Sequence, residues 1–529
     1  MKWSIETGLL KIQERLSASE RCAFLSAMAM GLLTHGFVFY NKLSYLDDST
    51  YYFSLGATYG SGRWALGMIE AIRNYLELQS FSMPLINGVI TIFLIAVMAI
   101  FLVRMLHIHN KLYAVLLGAY MVVFPAVTST FAYMFTAPYY FFAALLMVLA
   151  VYVVKNSNWG IVPAILMIAF GMGIYQANIG VATATFVAVL LCDAKNHGFA
   201  ENILRAVRCF VTLVLGIVLY FILNNVCLNV TGTKLGDYQG ISNMADLTVA
   251  NIFSGVIKAY KLWPQLTRWE ILGISNTSLI RGLYAVTLIV FIILGVMYLY
   301  EVYKKKDIWN TLYTCALVAV VPLSLGVIHI MTASPGAYVH TLMVYCLIFI
   351  PVYPLALLEN VEFANLKQVK PQILCWLQNI SIVTICLMTM FYFRLDNTAY
   401  LKANYQQENA VAYYTTLFTQ IKSAENYSDR MSVLFLGSVD GQDWSVKSPK
   451  EFDSIQIQGY HTNMNNFISY FANTKFWEIH CGYRFSVPRE SDIEKIKEMQ
   501  YVKKMPCYPN DGAIQVIDDI VVVKFSKKY

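Results

Sequence analysis

Apolar residues run along most of this chain in unbroken stretches, with neither the alternation of a half-buried strand nor the single stripe of a surface helix. Stretches near residues 22–40, 83–103, 112–128, 137–154, 160–175, 177–192 and 209–228 are followed, after a long connection, by four more near 283–300, 311–330, 337–357 and 373–393. A helix needs about 20 such residues to cross the hydrocarbon of a bilayer, so the pattern predicts about eleven transmembrane helices. The fifth and sixth stretches are short and almost contiguous, which fits either two spans or a re-entrant hairpin. From Arg394 onward charged residues become frequent and apolar runs shorten, leaving residues 394–529 for a small C-terminal α/β domain. There, residues 432–437 (SVLFLG) and 514–525 (IQVIDDIVVVKF) read as strands, the second folded into a hairpin about Asp518 and Asp519, and residues 491–502 read as a helix.

Composition agrees with a polytopic α-helical membrane protein, since the 529 residues are 57% hydrophobic and only 13% charged. The net charge of +7 is scattered over short loops and not gathered on one face, which argues against nucleic acid as a partner and for the bilayer. Alternate loops hold the cations: Lys2, Lys11, Arg15 and Arg21 at the N-terminus, Arg104 with Lys111, Lys155, Lys195 with Arg205 and Arg208, residues 304–306, and Lys367 with Lys370. The intervening connections at 130–136, Gln176 and 331–336 contain no Lys or Arg. The positive-inside rule then puts the N-terminus in the cytoplasm, and an odd number of spans puts the C-terminal domain outside.

The first outward connection begins with an acidic pair, Asp47 and Asp48, just beyond the first span. After it, residues 49–79 place apolar and aromatic residues at helical spacing, broken near Gly60 and Gly62, as expected of a helix lying along the outer interface with Trp64 as an anchor. Asp48 can cap that helix, and it can also work as a base at headgroup depth. A long outer loop is expected at 229–281, carrying Lys258, Lys261, Arg268 and Arg281. His35, His329 and His340 lie in or near spans, where a neutral imidazole bonded to a neighbouring helix is the plain reading. Eight of the ten cysteines sit in or beside spans; Cys481 and Cys507 fall in the outer domain, where they either pair or stay free. No CxxC, HExxH or histidine cluster indicates a transition metal, and no cofactor is indicated.

The order of several short signals resembles a family, the bacterial membrane glucosyltransferases of the O-antigen-modifying, serotype-converting type within the C-superfamily (GT-C) of polytopic glycosyltransferases. Those signals are the Asp47, Asp48 pair; Gly62, Arg63 and Trp64; Tyr175, Gln176 and Ala177; and Tyr508 to Gly512 near the C-terminus. The resemblance implies a multi-pass enzyme of the bacterial plasma membrane that takes a hexose, glucose by resemblance, from a polyprenyl-phosphate carrier and adds it to a surface glycan on the outer face.

Such a transfer needs a carboxylate to accept the acceptor's proton and positive charge on the departing phosphate. Asp48, with Asp47, is the candidate base; Arg63, then Lys258, Lys261, Arg268 and Arg281, are the candidate phosphate partners; Gln176, Tyr175 and His340 are candidates on the sugar side. Direct displacement inverts the anomeric centre. Aromatic residues from Phe131 to Tyr140 fit sugar stacking or an interfacial belt, and Trp444, Trp477 and Tyr483, with Asp440 and Asp443, fit acceptor guidance or support of the outer domain. The competing reading is a transporter or flippase of a lipid-linked sugar, against which stand the absence of ionisable residues at span centres and of half-to-half symmetry.

Overall fold

The structure is a computed structural model and describes residues 14–43, 47–48, 51, 54–78, 82–236, 248–333, 338–361, 371–438, 449–463 and 476–529. Lys2, Lys11, Pro335, Gly336, Lys367, Lys370, Asp440, Asp443 and Trp444 lie outside the described residues. The chain forms two compact units: Met1–Lys42, Tyr52–Asn397 and Gln456–Gln458 make the first, and Leu43–Tyr51, Thr398–Ile455 and Gly459–Tyr529 the second.

The first unit is helical. α1 (Ala18–Tyr40) opens with a capping box in which the Ser17 hydroxyl accepts from the Glu20 N–H and the Glu20 carboxylate accepts from the Ser17 N–H. The same carboxylate accepts from Arg104 at 2.7 and 3.0 Å, which ties α1 to the end of α3 (Pro84–Met105). Between them lies α2 (Trp64–Tyr75). α4 (Lys111–Val123) and α5 (Pro125–Phe131) form one span broken at Pro125, and α6 (Ala137–Asn156), α7 (Ile161–Ile174), α8 (Ile179–Asp193) and α9 (Phe199–Thr231) follow. α10 (Val249–Leu266) and α11 (Ser278–Lys304) precede α12 (Ile308–Leu325) and the short α13 (Val327–Met331). A 3-10 run, Thr341–Ile348, leads into α14 (Phe349–Asn360), and α15 (Pro371–Lys422) completes the series. Counting α4 with α5, the 3-10 turn Gln176–Asn178 with α8, and the 3-10 run with α14, ten helices among the described residues are long and apolar enough to cross a membrane, and α7 lies in a shorter apolar one.

The contacts of α6 show how the fifth and sixth stretches pack. At the start of α6, Tyr140 stacks on Tyr175, which follows α7, with ring centroids 4.0 Å apart. Near its other end, Lys155 pairs at 3.0 Å with Asp193, the last residue of α8. Both α7 and α8 therefore run the length of α6, about 22 Å from Tyr140 to Lys155 at about 1.5 Å per residue. Small residues permit the close packing: a Cβ on Gly171 would lie 2.8 Å from Met147 on α6, and one on Gly216 of α9 would lie 2.6 Å from Ile168 of α7.

Two expectations need correction. The interfacial helix expected over 49–79 occupies only Trp64–Tyr75 among the described residues, because the left-handed Gly62 ends a separate 3-10 turn, Tyr59–Ser61, before the helix can start. The expected loop at 229–281 is half helix: α9 extends to Thr231, and α10 is nucleated by Thr248, whose hydroxyl accepts from Asn251 N. α10 buries Gly255, Ala259, Leu262, Trp263 and Leu266, a helical spacing hidden in the sequence by apolar residues on its exposed face such as Phe253 and Ile257.

α15 continues far past the expected end of its span at 393, since residues 394–422 contain neither Gly nor Pro. Its later turns bury Ala399, Tyr400, Ala403, Ala410, Tyr414, Leu417 and Ile421 in the second unit. That unit holds a three-stranded sheet in the order β1-β3-β2, with β1 (Ser432–Leu436) parallel and β2 (Ile514–Ile517) antiparallel to β3 (Ile520–Lys524). Asp518 and Asp519 both take positive φ (49° and 59°), the geometry of a two-residue hairpin turn that matches strand twist. One face packs on α16 (Glu490–Glu498) and α17 (Gln500–Lys504) through Leu434, Leu436, Val522, Ile496 and Val502. The helix expected over 491–502 is thus two helices that meet at Met499.

At the end of β3, the buried Lys524 ammonium donates to the carbonyls of Val502, Lys503 and Met505 at 2.9, 2.8 and 3.0 Å, satisfying the open C-terminus of α17. Replacing Lys524 by Met should strip these carbonyls of their donor and destabilise the second unit by about 2 kcal/mol. Hydrogen exchange of the full chain should show faster exchange in peptides covering α17, β2 and β3; unchanged protection there would refute this capping role.

Candidate functional site

A polar cluster of the first unit forms where the chain enters α2. Arg63 N donates to Thr58 O at 2.9 Å, closing the turn, and Gly62 takes φ 69° so that the chain can reverse into the helix. Arg63 occupies the N-cap position of α2 by its backbone, without a side-chain cap bond.

Gln176 holds this turn from the other side. It lies in the 3-10 turn Gln176–Asn178 between α7 and α8, and its Nε2 donates to Ser61 O at 2.8 Å and to the Tyr220 hydroxyl at 3.1 Å. The Tyr220 hydroxyl donates in turn to Gly62 O at 3.0 Å. Two sequence signals more than a hundred residues apart, Gly62 to Trp64 and Tyr175 to Ala177, are thereby joined. Gln176 was expected on the sugar side; its Nε2 bonds the turn that precedes Arg63.

The Arg63 guanidinium carbon lies 5.6 Å from the Tyr140 ring centroid and 5.5 Å from that of Tyr175, over two rings stacked within 5° of parallel. Cation–π attraction favours the charge at that position, by about 0.5–2 kcal/mol depending on how dry the site is. Asn178 Nδ2 donates to Tyr140 O at 2.7 Å and fixes the first turn of α6 beneath the stack. Trp64 packs edge-on to Phe170 and fits against Gly173, where a Cβ would approach its ring to 2.5 Å. Among the described residues the buried Trp64 Nε1 and Asn224 Oδ1 have no hydrogen-bond partner. Asn224 Oδ1 lies 3.7 Å from the place a Cβ on Gly62 would take, so an acceptor atom is left open beside the turn.

Asp47 and Asp48 belong to the second unit. They are helical themselves, and Tyr51 N donates to Asp47 O at 2.7 Å, closing one turn. Asp48 is buried and Asp47 half-buried. The capping alternative for Asp48 is corrected by this geometry, because α2 begins after Arg63 and Asp48 sits within a turn of its own.

The four other candidate cations lie elsewhere. Lys258 and Lys261 are exposed on α10, Arg268 is exposed just after it, and Arg281 on α11 donates to Thr277 O and Arg268 O at 3.2 and 3.3 Å. His340 immediately precedes the 3-10 run and hydrogen-bonds the Gln458 side chain; neighbouring Thr341 accepts from Gln458 N at 3.1 Å. His35 is buried in α1 with Nε2 2.9 Å from Val122 O, the neighbouring-helix bond expected of a structural histidine. In the second unit Trp477 and Tyr483 pack on Phe418 with ring centroids 5.3 and 4.7 Å away, a supporting role. Cys481 and Cys507 are free thiols, Cys481 being engaged by the Thr415 side chain of α15, so the paired alternative is not realised.

Sequence reasoning missed Tyr220 and Asn224. Both are buried on α9, whose flanks are otherwise largely exposed, and their four-residue separation puts them on one face. A polar pair at that spacing inside an apolar run was the available signal.

In a comparison with known families, the model described as Glucosyl transferase GtrII aligns with residues 36–351. The matched span takes in every candidate from Asp47 to His340 and ends before the sheet of the second unit. No curated protein and no solved structure matches the chain.

Replacing Gln176 by Ala should release Ser61 O and the Tyr220 hydroxyl together, costing about 1–3 kcal/mol in thermal unfolding. It should also speed modification of Arg63 by phenylglyoxal. Gly62→Ala should act in the same direction, since a Cβ there meets Gln176 Nε2 at 2.8 Å and Tyr220 at 2.9 Å on a left-handed backbone. Wild-type stability and reactivity in both variants would show that this hydrogen-bonded turn does not position Arg63.

Proposed function

The chain belongs to the glucosyl transferase GtrII family, and from that premise we propose that it transfers glucose from a polyprenyl-phosphate carrier to a surface glycan such as O-antigen, at the outer face of the bacterial plasma membrane. It is a glycosyltransferase with many apolar helices of membrane-crossing length. The observation that carries the proposal is Arg63, held over the Tyr140–Tyr175 stack by the Gln176 turn.

That cluster lies at one end of α6, and the cations Lys155, Arg205 and Arg208 gather at the other. By the positive-inside rule the cation-rich end is cytoplasmic and the Arg63 end faces outward. Outside the cell there is no pool of nucleotide sugar, so the activated sugar must arrive on a lipid. An arginine at the interface beside stacked aromatic rings suits a lipid phosphate bearing a sugar: the guanidinium meets the phosphate oxygens, and the ring faces suit the apolar face of a pyranose. Asn224 Oδ1 supplies an acceptor for a sugar hydroxyl.

In the reaction the acceptor hydroxyl attacks the anomeric carbon, the bond from that carbon to the phosphate oxygen breaks, and the lipid phosphate leaves with its electron pair. The acceptor's proton passes to a carboxylate, assigned to Asp48 or its neighbour Asp47. A single displacement inverts the anomeric centre. Arg63 stabilises the negative charge that grows on the departing phosphate, the kind of fixed charge that is worth most in a site shielded from water.

Transfer from radiolabelled polyprenyl phosphoglucose to a glycan acceptor in reconstituted vesicles tests both roles. Arg63→Gln should lower turnover about 10²-fold or more with the fold intact. Loss of the base, Asp48→Asn or Asp47→Asn, should lower it about 10²–10⁴-fold. Full turnover in both aspartate variants would refute the base, and label crossing the bilayer without a new glycosidic bond would identify a flippase instead.

A further inference from the structure

At the far ends of α6, α8 and α9 from the Arg63 cluster, the first unit contains a cavity of about 320 Å³. Its lining is apolar at Val151, Phe186, Val189 and Leu190, with Leu204 apolar and exposed at the mouth. Its mouth is polar and charged, with Lys155, Arg205 and Arg208 against Asp193 and Glu201. The two carboxylates are committed. Asp193 takes Lys155 at 3.0 Å and Arg205 at 3.5 Å, and also accepts from His107 at 3.1 Å, while Glu201 takes Arg205 at 2.8 Å and His197 at 3.0 Å.

Arg208 is different, because every group it meets among the described residues is a neutral oxygen. Nη1 donates to Asn158 Oδ1 at 3.1 Å, and Nη2 to the carbonyls of Ser157, Val154 and Asn158 at 2.7, 3.4 and 3.5 Å. These bonds hold the guanidinium at the mouth, half-buried, and leave its charge unmatched and its Nε–H unused. Lys155, Arg205 and Arg208 against Asp193 and Glu201 leave the cavity one positive charge in excess, and that charge resides on Arg208.

A half-buried guanidinium without a counter-ion calls for an anion, and the apolar wall behind it calls for hydrocarbon. Both are found in one amphiphile. Trp159, 86% exposed beside the mouth, has the amphipathic ring that settles at headgroup level. Arg208 is also about 18 Å along α9 from Tyr220, so this cavity and the Arg63 turn stand a large part of a bilayer's thickness apart. We propose that the cavity binds an anionic phospholipid, with its phosphate on Arg208 and the Asn158 amide and one acyl chain along Leu190, Val189 and Leu204. Cation-lined recesses between membrane helices are a recurrent setting for such headgroups. The inference is independent of the glucosyltransfer reading.

Delipidated full-length protein in neutral detergent would be titrated with phosphatidylglycerol, with phosphatidylcholine of the same acyl chains, and with glycerol 3-phosphate, and followed by thermal unfolding and by retained lipid in native mass spectrometry. Phosphatidylglycerol should raise the melting temperature and survive as a bound adduct, whereas the other two should do neither. Arg208→Gln should weaken the apparent affinity about tenfold or more. Because Arg208 also binds the carbonyls that end α6, a second variant, Leu204→Trp, narrows the mouth from an exposed position and should abolish the adduct while leaving the unliganded melting temperature near wild type. Equal protection by phosphatidylcholine, equal protection by glycerol 3-phosphate, or undiminished phosphatidylglycerol binding in both variants would each overturn the proposal.

Discussion

One carboxamide organises the polar cluster around Arg63. Gln176 sits between two helices that run in opposite directions, where its donors would be costly to leave unpaired. The acceptors it finds are the Ser61 carbonyl of the turn before α2 and the hydroxyl of Tyr220 on α9. That pair of bonds gathers an interfacial turn, a helix hairpin and a long helix into one unit. Gly62 allows the close approach, because any side chain there would fall on the amide and the phenol. The position of Arg63 over the tyrosine stack follows from this arrangement, since its backbone is fixed by Thr58 behind it and by α2 ahead of it.

The two ends of α6 show two ways to keep a charge beside a bilayer. At the Tyr140 end Arg63 lies against π faces, which attract a cation. At the Lys155 end a buried carboxylate, Asp193, accepts from Lys155 and His107 and pairs with Arg205, and this network locks the ends of α6, α8 and α9. Arg208 is the exception within the locked end, and for that reason it marks a binding site.

The second unit is stabilised by more familiar means. Its sheet is short, and a parallel pair and an antiparallel pair share the central strand, so β3 is buried on both sides. The helices on one face and the aromatic cluster of Phe418, Trp477, Tyr483 and Phe485 supply the apolar cover that so small a sheet requires.

The sequence alone determined the helical membrane class, the position of nearly every apolar helix, the hairpin at Asp518 and Asp519, and the resemblance that the family match bears out, because each is written in local periodicity, turn chemistry or the order of short signals. Arg63, Tyr175 and Gln176 were legible as candidates for the same reason. That they meet, and that Gln176 serves the turn, was decided only by tertiary structure, since hydrogen bonds between residues a hundred positions apart leave no periodic trace. The same holds for α10, whose stripe is masked by apolar residues facing outward, for Tyr220 and Asn224, whose polarity is diluted in a long apolar run, and for the grouping of Asp47 and Asp48 with the second unit. Local physics set the elements; long-range hydrogen bonds such as those of Gln176 set which of them came together.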